Sequence, residues 1–524
     1  MQIRKFLKIF IILSLANFAF AEDSELSTCL ELKGFSLEKD FGEIECLGQY
    51  HHYNSDATSS YYSYSEARKK KGIKIGSFNL YQSGSSRTEY KDYSVIAKII
   101  NNFDIVGAVE LVSIIGVYKS HNEALVEYYK QELSNFQNAV SEGDEQKKFE
   151  LSNKLKFIKE QYELPGYVKI LKELRDLDPS WALLLTPNEE GSENATIKEL
   201  GGFFYRSRFV KPVVNEYCAA AYSLGSESYA CYPKFDTSFY GKDVADLVSR
   251  RPFMASFRSG SFDFTSLAVH TIYNAPSDEE FRKRLTLAAF GVENYSEVEG
   301  LKYDTYARFA ELTHIIGFTE KLRKSFSEKD IIIMGDFNLE SDEAYWKKLF
   351  SSNNKLDLKI HEPTSLALSR FKSDGSESGG TSRNFDHFII DKEFSVECEG
   401  KDSAKVFNFL EGEIRNIIDS KFLVRSDESY TDQETDLVMY KKAAGADQIM
   451  LDLEANYVER ISEMYTVKRG EVVKRFDIDE KLEDFRRKLF EPQLFERSYY
   501  RYMQETISDH IPVSLSCSNT FDRD

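Results

Sequence analysis

A chain of 524 residues that is 42% hydrophobic and 29% charged can bury a large core and, by length alone, hold roughly two to four domains. Its formal net charge of −18 argues against an electrostatically driven nucleic-acid binder, but leaves room for an enzyme that meets phosphate through divalent cations and a few local cationic side chains. The six cysteines, Cys29, Cys46, Cys218, Cys231, Cys398 and Cys517, show no Cys-x-x-Cys spacing, so a zinc site is not expected.

Arg4, Lys5 and Lys8 precede an apolar run from Ile9 to Leu15 that ends in Ala19-Phe20-Ala21. The run is too short to span a bilayer, and the small residues suit cleavage before Glu22, so residues 1–21 read as a signal peptide. A secreted or periplasmic protein with no stable membrane anchor after cleavage is expected. Export favours disulfides, and proximity in sequence suggests Cys29 with Cys46, Cys218 with Cys231, and Cys398 with Cys517. Residues 22–71 read as a cysteine-bearing segment and a linker rich in Tyr, Ser and His, closing on Arg68-Lys69-Lys70-Lys71; His51-His52 reads as solvated surface.

From Gly72 the texture changes. Ile73 to Asn79 alternates like a strand, a helical pattern follows near residues 91–102, and Ile105 to Glu110 reads as a second strand. Leu125, Tyr129, Leu133, Phe136 and Val140 keep a helical period, Ser141-Glu142-Gly143-Asp144 breaks it, and Leu151, Leu155, Ile158 and Tyr162 resume it, so residues 113–165 form a charged helical hairpin. A helix over about 166–177 precedes strands at Trp181 to Leu185 and Gly202 to Tyr205. Phe264 to Val269 is a strand ending at His270, and Ser277-Asp278-Glu279-Glu280 reads as a capping box opening a helical region that runs, with breaks, to about 325. Strands follow at Ile331, at Phe385 to Ile390, and at Ile511 to Ser516. Residues 393–506 are dense in charge and mostly helical in pattern. Both helical stretches read as insertions into a single α/β domain over 72–518, because Pro is scarce and no long Gly/Ser linker interrupts the chain.

The most informative stretch is Ile331-Ile-Ile-Met-Gly-Asp-Phe-Asn338, where an inner strand runs into a turn carrying a carboxylate and an amide. The same placement recurs. Asn79, Glu110, Glu199, His270, Asp336, Asn338, Asp386, Asp509 and His510 all lie at or near expected strand ends, as side chains converging on one edge of a sheet sandwich would. Oxygen ligands of this kind suit Mg²⁺, with Mn²⁺ or Ca²⁺ as alternatives, and the lack of clustered Cys or His disfavours a soft metal.

These residues carry a resemblance. The chain resembles the endonuclease/exonuclease/phosphatase superfamily, and within it secreted deoxyribonuclease I, through Ser77-Phe78-Asn79-Leu80, Val109-Glu110, Lys198-Glu199 with Phe204-Tyr205-Arg206, Val269-His270 with Ala275-Pro276, Met334 to Asn338, Thr381 with Phe385-Asp386, and Ser508 to Val513, in the family's order. The resemblance implies a four-layer α/β/β/α sandwich and metal-dependent phosphodiester hydrolysis with a 5′-phosphate product. It implies that Glu110, helped by Asn79, Asp336, Asn338 and Asp509, holds the metal, and that His270 with Glu199 and His510 with Asp386 form two imidazole–carboxylate pairs. His510 as base and His270 as acid is the expected assignment, although the sequence does not order the two. Arg206, Thr381 and Arg383 are the expected substrate contacts, with Arg251 and Arg258 as further candidates for phosphate. The chain departs from the family at Val109, where many members have Gln, at Leu111-Val112, where an Arg reaching the DNA minor groove is common, and in both insertions.

The expected function is a secreted endonuclease cutting DNA with little sequence specificity, with RNA as a secondary candidate substrate. A sphingomyelinase-type phospholipid phosphodiesterase is the alternative; it would expose an apolar hairpin to the membrane, and neither insertion has an obvious run of adjacent aromatics. A non-catalytic adhesin or toxin scaffold is the second alternative, and loss of catalytic residues would mark it.

Overall fold

The structure of the chain is a computed structural model. It describes residues 69–523, apart from 84–88, 113–115, 186–198, 223–228, 294–301, 343–344, 352–354, 368–379, 401, 415, 417–429, 432–437, 440–445 and 490–494. The signal peptide, the Cys29 and Cys46 pairing, most of the linker, and Lys198 lie outside the described residues.

Two sheets are built from the β-branched and aromatic runs. The first orders β12 (Ala404–Val406), β17 (Val513–Ser518), β1 (Gly72–Ser83), β2 (Ile105–Val112), β4 (Glu199–Arg206) and β3 (Trp181–Leu184). The second orders β10 (Leu356–Leu358), β11 (Asp386–Asp391), β9 (Ile331–Asp336), β8 (Phe262–His270), β7 (Phe253–Ser259) and β5 (Lys211–Val213), with β6 (Ala230–Cys231) also on β7. Two small hairpins stand apart from them, β13–β14 (Tyr430–Thr431, Val438–Met439) and β15–β16 (Tyr465–Lys468, Glu471–Lys474).

Side-chain alternation explains the layers. Ile73, Ile75, Val109, Phe203 and Tyr205 of the first sheet meet Phe253, Phe257, Phe264, Ile332, Met334 and Phe388 of the second in one core between the sheets. On the outer face of the first sheet, Phe78, Leu80, Val106 and Phe204 pack against helices α1 (Tyr93–Ile100) and α4 (Gly166–Leu177), between which the chain forms α2 (Gly116–Glu142) and α3 (Glu145–Glu160). On the outer face of the second, Leu267, Val269, Ile331 and Ile333 pack against α6 (Tyr303–Ser325), which follows α5 (Glu279–Phe290). Helix, sheet, sheet and helix make the expected four-layer α/β/β/α sandwich.

One sequence expectation is corrected. Helix α5 is capped by Asp278, whose carboxylate accepts from the backbone of Glu280 and Phe281, so Ser277 is not the cap. The stretch 393–506 is mostly helical as expected, and it also contributes to the main fold. Its β12 extends the first sheet beside β17, and α7 (Ala446–Ser462), α8 (Ile478–Leu489) and α9 (Phe495–Thr506) deliver Tyr457, Phe485 and Met503 into the core over that sheet. A three-residue strand is too short to leave a period in the sequence. The Cys218–Cys231 and Cys398–Cys517 disulfides are both present, the second joining the start of this stretch to β17.

The 113–165 hairpin is helical as expected, with α2 (Gly116–Glu142) and α3 (Glu145–Glu160) meeting through Leu125, Tyr129, Leu155 and Ile158. It also packs on the other insertion: Phe157 lies edge-on to Tyr465, and the buried Arg475 donates to Glu163, 2.9 Å away. The buried Glu163 carboxylate is held below its usual range by Lys169 and Arg475 against the opposing effect of burial. Arg475→Ala is expected to lower unfolding stability by about 3 kcal/mol, since it strips a buried anion of one of its two cations; a denaturant melt with an unchanged midpoint would show that the contact between insertions is passive.

Candidate active site

All nine residues singled out at strand ends lie at the same end of the sandwich. Asn79 and Glu110 come from the ends of β1 and β2, Glu199 opens β4, His270 and Asp336 close β8 and β9, Asp386 opens β11, and Asp509-His510 precede β17. The backbone is bent to bring them in. Val109 belongs to the core between the sheets and Leu111 to the helix-facing core, although both are odd-numbered, because a bulge at Glu110, with φ 57°, flips the alternation. Tyr81 and Gln82 follow Asn79 at positive φ where the register with β2 shifts, and Asn338 has φ 50°. Four of the five described non-glycine residues at positive φ thus surround this site, which is where backbone strain is expected to concentrate.

The two histidines each reach across the sandwich. His270, on the second sheet, donates from Nδ1 to Oε1 of Glu199 on the first at 2.6 Å. His510, leading into the first sheet, donates from Nδ1 to Oδ2 of Asp386 on the second at 2.7 Å. Their Nε2 atoms both approach Oδ2 of Asp336, at 3.6 Å and 3.4 Å. Asn79 donates to that same oxygen at 3.1 Å and to Glu110 Oε1 at 2.9 Å, while the other Asp336 oxygen accepts from the Asn338 backbone.

Electrostatics follow from this crowding. Burial works against the imidazolium of His270, as does Arg250, but Glu199 and Asp336 together raise the pKa above its ordinary value. His510 is raised well above its ordinary value, since Asp386, Asp336 and Asp509 together overcome burial. Burial pushes Asp386 up, to about 6, with His510 opposing. With three carboxylates around the ring, the proton shared by this pair belongs on the imidazole. Burial also raises Glu110, helped by repulsion from Glu199 and Asp509 and opposed by His270.

No family model and no curated protein sequence matches the chain. In structure it is similar to an endonuclease/exonuclease/phosphatase family protein from Bacteroides thetaiotaomicron, at 12% identity and TM-score 0.32, covering 86% of this chain and 98% of that one. It is also similar to a mannosyl-6-phosphatase of the same species, at 13% identity and TM-score 0.30, covering 62% and 86%, and to a β-hairpin deletion mutant of Staphylococcus aureus beta toxin, at 13% identity and TM-score 0.29, covering 62% and 88%. At such identities and TM-scores these likenesses carry no argument about activity, and the chemistry must be read from the site itself.

Among the described residues, no group of three or more His, Cys, Asp or Glu side chains closes into a metal cage. A Mg²⁺ site needs less, because that ion takes one or two carboxylates and keeps water and substrate oxygens. Glu110 and Asp509 fit this requirement: repulsion between them helps to raise the Glu110 pKa, which a cation would relieve, and Asp509 Oδ1 is buried with no hydrogen-bond partner among the described residues. The two asparagines expected as ligands are engaged differently. Asn79 turns its amide nitrogen to the two carboxylates and its oxygen to the Tyr81 backbone, and Asn338 donates its side-chain nitrogen to Thr271 O at 3.2 Å. Asp336 is likewise engaged with both imidazoles and Asn79.

The expected substrate contacts divide. Arg206 is not at the site: it closes β4, seven residues from Glu199, which in an extended strand is roughly 23 Å. There it donates to Asn101 at 2.6 Å, approaches Asp178 at 3.4 Å and stacks on Trp181. Arg258 is also at the far end, paired with Asp263 across the β7–β8 hairpin. Arg383 is exposed and bonded to Glu340, and Thr381 is half-buried in a bridge to Leu366, whose backbone donates to Asp509 O. Sequence reading missed Arg250, which approaches Glu199 Oε2 at 3.0 Å and donates to Thr271 O, and Thr364, whose hydroxyl accepts from the Asp386 backbone. It also gave no role to Ser508, which donates to Asn79 O and accepts from the His510 backbone. Adjacency to Asp509-His510 was the available signal for Ser508; Arg250 and Thr364 left none.

Proposed function

We propose that the chain is a divalent-metal-dependent phosphodiesterase, and within that class a secreted endonuclease that cuts DNA with little sequence specificity, RNA being the secondary candidate substrate. One observation carries this reading: two imidazole–carboxylate pairs, each bridging the sheets, aim their Nε2 atoms at a single oxygen of Asp336 beside Glu110 and Asp509. Two imidazoles so placed suit a displacement that needs one proton removed and one supplied.

His510 takes a proton from water as it attacks phosphorus, the bond from phosphorus to the leaving oxygen breaks, and His270 gives that oxygen its proton. Asp386 and Glu199 fix each ring with Nδ1–H toward the carboxylate and Nε2 toward the reaction, and Arg250 holds Glu199 from behind. Asp336 sets the spacing of both rings. A divalent cation held by Glu110 and Asp509 would supply Lewis-acid polarisation of a non-bridging phosphate oxygen. Asp509, after Asp386 and Asp336, is one of the carboxylates that hold the proton on His510, so neutralising Asp509 would weaken that hold.

The deciding experiment exposes the protein to plasmid DNA, RNA and sphingomyelin vesicles, with Mg²⁺ or with EDTA. Nicking of DNA in Mg²⁺ and its abolition by EDTA is the expected result. Lipid cleavage without nicking would move the chain to the phospholipid phosphodiesterases, and inertness toward all three substrates under every metal condition would leave a scaffold.

A pH profile separates the two histidines. Glu199 favours the charged form of His270, so Glu199→Gln lowers that pKa, and the proton needed by the leaving group is lost at lower pH. The alkaline limb of the kcat/KM profile is therefore expected to move toward acid. An unmoved alkaline limb would mean that His270 is not the acid.

A further inference from the structure

The loop leaving β8 is fixed with unusual completeness. Thr271 donates from its backbone to Asp336 O at 3.0 Å and from its hydroxyl to Phe337 O, and its own carbonyl accepts from Arg250 and Asn338. The next two residues are held by α6. Glu311, 1% exposed, accepts from the backbone of Ile272 and Ser249 at 2.8 Å each, and Arg308 donates to the carbonyls of Ile272, Tyr273 and Asn338. Residues 308 and 311 share one helix face, so a single turn of α6 locks this loop to the Asn338 turn.

At the end of this fixed loop, three residues after His270, stands Tyr273, 59% exposed. The Arg308 guanidinium that anchors its carbonyl also lies 5.4 Å from the centre of its ring. An exposed aromatic ring on a backbone held this firmly, three residues after His270, is a stacking platform whose main-chain ordering cost has already been met by the fold. Its chemistry discriminates between partners. A ring already engaged by a guanidinium attracts a second cation, such as a quaternary ammonium head group, poorly, whereas a neutral nucleobase stacks on it without electrostatic penalty.

We propose that Tyr273 is a specificity-determining residue that stacks an unpaired nucleobase next to the scissile phosphate, which makes single-stranded nucleic acid the preferred substrate. This rests on the reading of the site as a phosphodiesterase. A base within a duplex has both faces covered by its neighbours, so the platform is served by strands whose bases can splay out.

The test compares kcat/KM, in Mg²⁺, for a single-stranded oligonucleotide and for one of the same length made of tetrahydrofuran abasic units, with bis(4-nitrophenyl) phosphate as a general phosphodiester. The wild-type protein is expected to prefer the intact strand by about 10-fold, the scale of one base stacked on an aromatic side chain. Tyr273→Ala is expected to collapse that ratio toward one, and Tyr273→Phe to preserve it. A wild-type ratio near one, or an equal loss on both strands in Tyr273→Ala, would overturn the stacking role. Turnover of bis(4-nitrophenyl) phosphate accompanied by either result overturns the platform alone, while failure to hydrolyse any phosphodiester overturns the reading of the site and the platform with it.

Discussion

His510→Ala is expected to reduce kcat on a phosphodiester by between about 10² and 10⁴, the usual range for removing a positioned general acid or base. The side chain is buried, its Nδ1 committed to Asp386 and its Nε2 directed at Asp336, so no water could take its place with the same orientation. The loss should appear in kcat with KM little changed, because the imidazole is proposed to act on the attacking water and not to grip the substrate. His270→Ala should show a loss of similar size. The double variant should fall well short of the product of the two, because both groups serve one displacement. Circular dichroism would establish that the variants are folded. A folded His510→Ala protein retaining more than about a tenth of wild-type kcat would remove this residue from the reaction.

Gly335→Ala is expected to be the most damaging single change to the fold. Gly335 has φ 146°, and a Cβ placed on it would lie 1.8 Å from the Val269 carbonyl oxygen of the neighbouring strand, in contact with backbone that cannot swing aside. Relief would require β8 and β9 to separate where Val269 faces Gly335 in the parallel register, one residue before His270 faces Asp336. The expected loss exceeds about 4 kcal/mol, beyond what ordinary substitutions cost, and would appear as a large drop in melting temperature or as failure to recover folded protein. Gly400→Ala, where the nearest contact of an added Cβ is an ordinary 3.6 Å, is the control and should melt close to wild type. Comparable melting of the two variants would show that the close approach at Gly335 is not needed.

The difference between what could and could not be read in advance follows from the range of the forces involved. Strand β9 was legible because three β-branched residues and a glycine announce themselves within six positions, and the α2–α3 hairpin was legible because its apolar period persists for several turns. Strand β12 was not, since three residues of intermediate burial and exposure leave no period and its pairing with β17 spans more than a hundred positions. Arg206 was misplaced for a related reason. Seven residues look close in a motif, but along an extended strand they carry a side chain from one end of the sandwich to the other.

The sequence by itself determined the chemistry available: carboxylates, amides and imidazoles placed at the ends of strands whose alternation marks them as sheet. Tertiary structure alone decided the partnerships. Stacking the two sheets joins His270 to Glu199 across 71 positions and His510 to Asp386 across 124, and a single turn of α6 braces the loop that follows His270. It also turned Asn79 toward the carboxylates and placed Arg250 where no local pattern pointed. Local sequence encodes which groups a strand end presents, because that depends on neighbouring residues. Which groups meet depends on register and on the packing of one sheet over another, and these are settled only when the whole core is assembled.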